Sequence, residues 1–376
     1  TRLQHRASRT ASIVHRLTAE GMIIIGKTHT VEFASGGWGS NQQMGTPWNP
    51  WDEKIARAPG GSSSGSAVAV AARLVPWAIG TDTGGSVRLP ASWCGLTGLK
   101  PSSGRISTYG ILPLSPSLDT VGPLTRSVED AALLYQALIG HDPFDSRTLV
   151  QPSSADLISK MRSGIKGKRL ALVPPEERET ICNEVLAAYD RSIDILCDLG
   201  AKIVPFSPPF SFTDLAALNG LIMKTEAYSL YADFVDNKEL PLDEDVRPRI
   251  LAGKDVLARD YLAALRKRES MQEEFQAAMA DIDAFLTPTT LTTAVPLKAI
   301  DQSTTPAHFT RFANFLDLCA IAVPNGISSE GLPTSLQIMG KRFDEAGILS
   351  IAWAFQSRTD WHEKLPEMAN FSTKES

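Results

Sequence analysis

Two glycine–serine stretches sit close together in the first quarter of the chain, and both open into sequence that reads as packed. The first is Gly60-Gly61-Ser62-Ser63-Ser64-Gly65-Ser66, followed by the Ala/Val run from Ala67 to Ala72. The second is Gly80-Thr81-Asp82-Thr83-Gly84-Gly85-Ser86-Val87-Arg88-Leu89-Pro90. A flexible linker is flanked by polar sequence, so neither stretch reads as one. Gly84 and Gly85 carry no side chains, which lets the backbone amides from Thr83 to Ser86 converge on one point. Converging amides are what a developing oxyanion needs, and Ser86 at the end of the turn would sit beside that hole.

Spacing disposes of several other chemistries. Neither stretch has the lysine of GxxxxGK[ST] or the pattern GxGxxG, so the phosphate-cradling loops of nucleotide binders are absent. Gly61 to Gly65 does satisfy the GxSxG nucleophile elbow, with Ser63 at its centre. That elbow follows a strand, however, and "EKIARAPG" is charged and ends in Pro59-Gly60. Its histidine would have to be His308 or His362, neither in a telling context. The histidines scatter without an HxH or HxxxH pair, so no metal site is expected. Two serine clusters without a nearby histidine ask for a different way of activating a hydroxyl.

The two stretches together resemble the signature of the amidase signature family. The likeness continues through "CGLTGLKPSSGRIS", "LDTVGPLTRSVEDAA", "GKTHTVEFA", "NPWD" and "GLPTSLQIMGKRFDE", and so covers nearly the whole chain. The family works with a Ser–cis-Ser–Lys triad. By this resemblance Ser86 is the nucleophile and Ser62 the bridging serine, held by a cis peptide to Ser63. Thr83, Gly84 and Gly85 would form the oxyanion hole, and Asp82 and Arg88 would either support that turn or form only a local ion pair. Ser63 would either join the triad or cap the following helix. Trp38, Trp48 and Trp51 would either line a substrate pocket or serve packing.

The family's base is a neutral lysine, which requires burial to bring its pKa from about 10.4 towards roughly 7–8. Lys27 in "IIIGKTHT" and Lys100 in "GLKPSSG" both match segments that the resemblance makes structural. No lysine occurs between Thr1 and Gly26. The catalytic lysine is therefore not expected within this sequence. The sequence would be either a piece of a longer protein lacking its N-terminal segment, or a degenerate relative. Intact serines, turn and Arg88 favour the first expectation.

The resemblance implies hydrolysis of a carboxamide or related C–N bond through an acyl-serine intermediate, with no cofactor. A branch of the same family, the A subunit of glutamyl-tRNA amidotransferases, gives the alternative. The region "GGWGSNQQMGTPWNPWD" looks more like the stand-alone amidases, including the biuret and allophanate branch. A third reading, from another class, is an inactive binding or scaffold protein on the same fold. The expected partner is a small-molecule amide, with no nucleic acid and no membrane, and a homodimer is allowed.

Elements that position these residues can be read along the chain. "TASIVHRLTAEG" predicts a helix with Ile13, Val14 and Leu17 on one face, and "MIIIG" from Met22 a short buried strand. Ser127 predicts the start of "SVEDAALLYQALIG", its hydroxyl accepting from the Asp130 amide. "KRLALVP", "AKIVPF" and "DAFLTP" read as strands. Ile181, Val185, Tyr189, Ile193 and Leu196 fall at helical spacing, and a long helix is expected between Asp260 and Ala280. Short apolar strands alternating with amphipathic helices predict an α/β fold. The resemblance makes it one large α/β/α domain around a mixed sheet, spanning 1–376. Within it, 1–140 would carry the signature loops, 141–280 a variable helical region roofing the pocket, and 281–376 the rest of the core.

Composition agrees with a globular protein. The 376 residues are 43% hydrophobic and 21% charged, with a formal net charge of -5, which offers no footprint for nucleic acid. No apolar run approaches the roughly 18 residues of a membrane span. Cys94, Cys182, Cys197 and Cys319 show no pairing motif and predict buried free thiols in a reducing, cytoplasmic setting.

Overall fold

The computed structural model describes residues 7–149 and 157–367, so the outer ends of the expected domain and residues 150–156 lie outside it. Its strands are β1 (Trp77–Asp82), β2 (Thr97–Lys100), β3 (Thr120–Thr125), β4 (Arg169–Leu172), β5 (Lys202–Ile203), β6 (Ala284–Pro288), β7 (Cys319–Ile327) and β8 (Pro333–Gly340). They form one mixed sheet in the order β1-β3-β2-β7-β8-β6-β4-β5. Neighbours from β1 to β6 pair antiparallel, while β6, β4 and β5 are parallel. The centre is β7 and β8, buried along their length except at Ile327. Such strands need apolar side chains on both faces, which explains runs like "CAIAV" without polar alternation.

Alternation within β7 separates two layers. Ala322 packs with Ala67, Val70, Val87 and Ala91 in a small Ala/Val core, whereas Ile321 and Val323 belong to the main core. The small core belongs to α2 (Ser64–Ala71) and α3 (Arg88–Trp93), the helices that follow the two serine stretches. Small side chains let these helices approach the sheet closely, and so fix where the serine loops begin.

On the main-core side, α1 (Ser12–Ala19) buries Ile13 and Leu17 as its pattern predicts. Helix α4 (Val128–Leu138) starts at Ser127, whose Oγ accepts from Asp130 N at 3.1 Å and donates to its carboxylate at 2.8 Å. Two short helices, α5 (Leu157–Met161) and α6 (Pro175–Arg178), precede α7 (Asn183–Asp198), which buries Val185, Tyr189, Ile193 and Leu196. The middle of the chain then supplies α8 (Phe212–Val235), α9 (Val246–Leu251) and α10 (Ala258–Ala278), followed by α11 (Thr310–Phe315) and α12 (Glu345–Gln356).

Three expectations need correction. "MIIIG" is not a buried strand: residues 22–26 are irregular, with Ile23 84% and Ile25 75% exposed. β-branched residues favour extended backbone, but a strand also needs a neighbour for its N–H and C=O groups, and among the described residues none pairs with it. "AKIVPF" contributes only the two-residue β5. All four cysteines are free, but Cys197 is exposed and Cys182 half-buried, because the last turn of α7 carries Cys197 off the apolar stripe. No described helix is long and apolar enough to cross a membrane.

Candidate active site

Strand β1 ends at Asp82, and the chain turns through Thr83, Gly84 and Gly85 to Ser86 before α3 begins at Arg88. Gly85 has φ +132°, and a Cβ there would lie 2.2 Å from Thr310 Oγ1. Only glycine meets both conditions. Thr310 Oγ1 in turn donates to Gly84 O at 2.7 Å, which pins the turn to the start of α11.

Asp82 is the internal brace. Its Oδ1 accepts from Gly85 N at 2.8 Å and Asn314 Nδ2 at 2.9 Å, and its Oδ2 from Val87 N at 3.1 Å. Arg88 grips the same carboxylate and also donates through Nη1 to Thr310 O and Gln337 Oε1, and through Nη2 to Asn314 Oδ1. Both side chains are wholly buried. Burial pushes the Asp82 carboxyl up, but the charge and hydrogen bonds of Arg88 outweigh it and hold the group at about 2. Asp82 and Arg88 thus form a buried pair that braces the turn. The Gly85 amide is committed to Asp82, which takes it out of the expected set of oxyanion donors.

Thr83 has its own anchor. Its Oγ1 donates to Asp119 Oδ1 at 2.5 Å, while Asp119 Oδ2 accepts from the amides of Leu114 and Ser115. Burial raises the Asp119 carboxyl to about 6 against these stabilising hydrogen bonds.

The first serine stretch packs against the second through backbone. Ser63 N donates to Ser86 O at 3.2 Å. Ser62 O accepts from Val31 N at 3.1 Å and Thr30 Oγ1 at 2.8 Å, which ties the loop to the segment that follows Lys27. The cis peptide joins Gly61 to Ser62, one bond earlier than the expected Ser62–Ser63. Ser63 fills neither expected role with its side chain. It stands at the N-cap of α2 without capping it, and its Oγ instead bonds the N and O of Thr81 in β1. The hydroxyls of Ser62 and Ser64 are buried and have no hydrogen-bond partner, so Ser62 Oγ is not bonded to Ser86 Oγ.

Ser86, Thr83 and Gly84 line a cavity of about 400 Å³. Of the three tryptophans only Trp38 reaches it, stacked on Trp93 at 5.6 Å. Trp48 is exposed and Trp51 packs under Gly95. Helix α8 lines the cavity from Ala216 to Ala227, and Arg249 and Arg311 complete the wall. Lys224, Arg249 and Arg311 are its charged lining residues, and no described Asp or Glu lines it.

The lysines and histidines weighed from the sequence lie elsewhere. Lys27 is exposed, and Lys100 is fully buried with Nζ donating to Pro101 O at 3.0 Å. Burial pushes the Lys100 ammonium down, with Asp317 opposing. His308 bonds Glu177 at 2.7 Å, and His362 lies beside Glu363; neither lines the cavity. Sequence reasoning missed Asn219, Arg311, Thr310, Asn314 and Gln337. The segment "FTRFANF" reads as an ordinary apolar helix, and only the fold brings its polar positions to the turn.

The family model described as Amidase matches residues 2–349. The A subunit of the glutamyl-tRNA(Gln) amidotransferase of Neisseria meningitidis serogroup B is 36% identical over 385 residues, covering 95% of this chain and 79% of that relative. The crystal structure of the corresponding protein from Thermotoga maritima superposes with a TM-score of 0.84 at 34% identity, covering 96% of this chain and 80% of that one. A peptide amidase in complex with the competitive inhibitor chymostatin superposes with a TM-score of 0.82 at 29% identity, covering 95% and 78%.

Proposed function

Since this chain belongs to the amidase family of hydrolases acting on C–N bonds, we propose that it cleaves its carboxamide through an acyl-enzyme on Ser86. The observation that carries the reading is the turn itself. Ser86 opens on the cavity from a turn braced by the buried Asp82–Arg88 pair, with Thr83 and Gly84 beside it. In the proposed step Ser86 Oγ bonds to the carbonyl carbon, and the amides of Thr83 and Gly84 stabilise the oxyanion. Ser62 takes the proton from Ser86 and passes its own to a base, which returns it to the leaving nitrogen as the C–N bond breaks. Water then attacks the Ser86 ester and frees the carboxylate. Among the described residues no lysine bonds Ser62 Oγ. The relay requires Ser62 Oγ to swing to Ser86, as catalytic hydrogen bonds commonly tighten only with substrate present.

Asp82, Arg88 and, through its amide, Ser63 are positioning residues in this reading, and residues 141–280 supply substrate choice through α8 and α9. The free thiols of Cys94, Cys182, Cys197 and Cys319 favour a cytoplasmic setting. The names of the relatives favour a second reading, in which ammonia released at Ser86 passes to another protein of a complex. Treating the protein with a fluorophosphonate and locating the adduct by mass spectrometry tests the nucleophile. An adduct on Ser86 is expected. An adduct on Ser63 points to the GxSxG elbow, and no adduct points to a scaffold.

A further inference from the structure

With the Gly85 amide committed to Asp82, the amides of Thr83 and Gly84 are left to face an oxyanion. Gly84 is pinned by the hydroxyl of Thr310, whereas Thr83 is pinned by a carboxylate. Thr83 Oγ1 donates to Asp119 Oδ1 at 2.5 Å, and Asp119 Oδ2 accepts from Leu114 N at 2.9 Å and Ser115 N at 3.0 Å. The loop that presents Asp119 is clamped in turn from the roof of the cavity. Glu226 of α8 accepts from Ser115 Oγ at 2.6 Å, from Ser117 N at 3.1 Å and Ser117 Oγ at 2.6 Å, and from Tyr261 OH of α10 at 2.7 Å. Thr83 and Leu114, which flank Asp119 in this network, both line the cavity.

The donors around Asp119 decide where a proton can go. Backbone amides only donate, so Oδ2 has both lone pairs engaged and the proton must enter at Oδ1. Asp119 then becomes the donor and Thr83 Oγ1 the acceptor. The bond loses its charge assistance, which about halves its strength, and the Thr83 hydroxyl hydrogen is freed for another acceptor. Burial raises the Asp119 carboxyl to about 6 against the bonds from Thr83, Leu114 and Ser115 and the charge of Arg147. The charged and titratable groups around it are each bound: Arg147 to Asp145, Glu226 and Tyr261 to each other, Arg268 of α10 to Ser117 O, and Asp82 to Arg88. Asp119 and Arg147 also line a second cavity of about 50 Å³, roomy enough for water to deliver the proton.

We infer that Asp119 is a positioning residue for the oxyanion turn: ionised, it holds the Thr83 hydroxyl to itself and keeps the Thr83 amide aimed at the reacting carbonyl, and protonation releases that hold. This rests on Ser86 as nucleophile and Thr83 as an oxyanion donor, and it places a pH-sensitive group outside the proton relay.

Two readouts on the full chain test it. The first is fluorophosphonate labelling of Ser86 across pH, taken as the ratio of wild type to Asp119→Asn so that titration of the shared base cancels. The asparagine must turn its oxygen to the amides of Leu114 and Ser115, so its Nδ2 donates to Thr83 and copies the protonated state at every pH. At about pH 7.5 the variant should label at least about tenfold more slowly, in the maximal rate rather than in probe binding, because oxyanion donors act in the transition state. The ratio should fall toward unity as pH drops through 6. A purely structural Asp119 would lower the folded fraction and leave the ratio per folded molecule flat.

The second readout needs no chemistry. The Thr83 amide resonance, identified by its absence in Thr83→Val, should titrate at about 6 in the wild type and stay fixed in Asp119→Asn. If Asp119→Asn does not fold, Thr83→Val cuts the same hydrogen bond from the other end and carries the rate prediction. A titrating Thr83 resonance without any labelling would keep the hold of Asp119 on Thr83 and remove Ser86 as nucleophile. Labelling with a flat ratio, or a Thr83 resonance indifferent to Asp119, would overturn the inference.

Discussion

Arg88 holds Asp82 through two nitrogens, Nε to Oδ2 at 3.0 Å and Nη2 to Oδ1 at 2.9 Å, in a pair with no solvent exposure. The pair ties the end of β1 to the start of α3, and Arg88 extends the tie to α11 and β8 through Asn314 and Gln337. Removing one partner leaves the other charge buried and uncompensated, which costs about 3–5 kcal/mol. Asp82→Asn is therefore expected to lower stability by that order in urea unfolding. The Asp82 carboxyl is depressed from 3.8 to about 2, so its contribution is present above 3.8 and lost as pH falls through 2. Acid unfolding profiles should show that loss in the wild type and not in Asp82→Asn.

Asp119 has the opposite sign. Its carboxyl is raised from 3.8 to about 6, so the folded protein holds this proton more tightly than the unfolded chain. Stability from this group is full below 3.8 and is lost as pH rises through 6. Tm measured from about pH 4 to 7 should slope downward through this contribution, and Asp119→Asn should flatten the slope. A slope unchanged in the variant would mean that Asp119 stays ionised across the range.

Gly85 offers a steric test. With φ at +132° and Thr310 Oγ1 2.2 Å from any Cβ, Gly85→Ala combines backbone strain with a clash. The variant should lose at least about 2 kcal/mol of stability and its fluorophosphonate labelling. Adding Thr310→Ala removes the clash but not the strain, so stability should recover in part. Full recovery would show that side-chain contact alone demands glycine here.

Much of this architecture was legible because it is local. Ser127 announces α4 with its own hydroxyl, and the Ile13–Leu17 stripe announces α1. The serine stretches were legible because glycine and serine in such density serve backbone geometry rather than packing. What stayed hidden depends on distant chain meeting in space. "MIIIG" has the composition of a strand, and nothing local reveals that no neighbour pairs with it. The cis bond, expected from the family resemblance between Ser62 and Ser63, lies one bond earlier, between Gly61 and Ser62.

Ser62 separates catalysis from stability most cleanly. Its hydroxyl is fully buried and forms no hydrogen bond, so the fold carries its desolvation, about 1–3 kcal/mol, without return. Ser64 Oγ shares that state, whereas Ser66 Oγ donates to Ile79 O at 2.8 Å. Ser62→Ala removes the unsatisfied oxygen and leaves only a small void, so Tm should stay level or rise. If Ser62 relays the proton of Ser86, the same change should cut fluorophosphonate labelling by about 10²–10⁴-fold, the usual worth of a general base. Ser66→Ala is the control, since it breaks a made hydrogen bond and should lower Tm while labelling persists in the folded fraction. Ser86→Ala should abolish labelling outright without a comparable loss of Tm, because Ser86 lines the cavity. A Ser62→Ala protein that labels at the wild-type rate would remove Ser62 from the mechanism, and a fall in Tm would show that its hydroxyl does find a partner in the folded state.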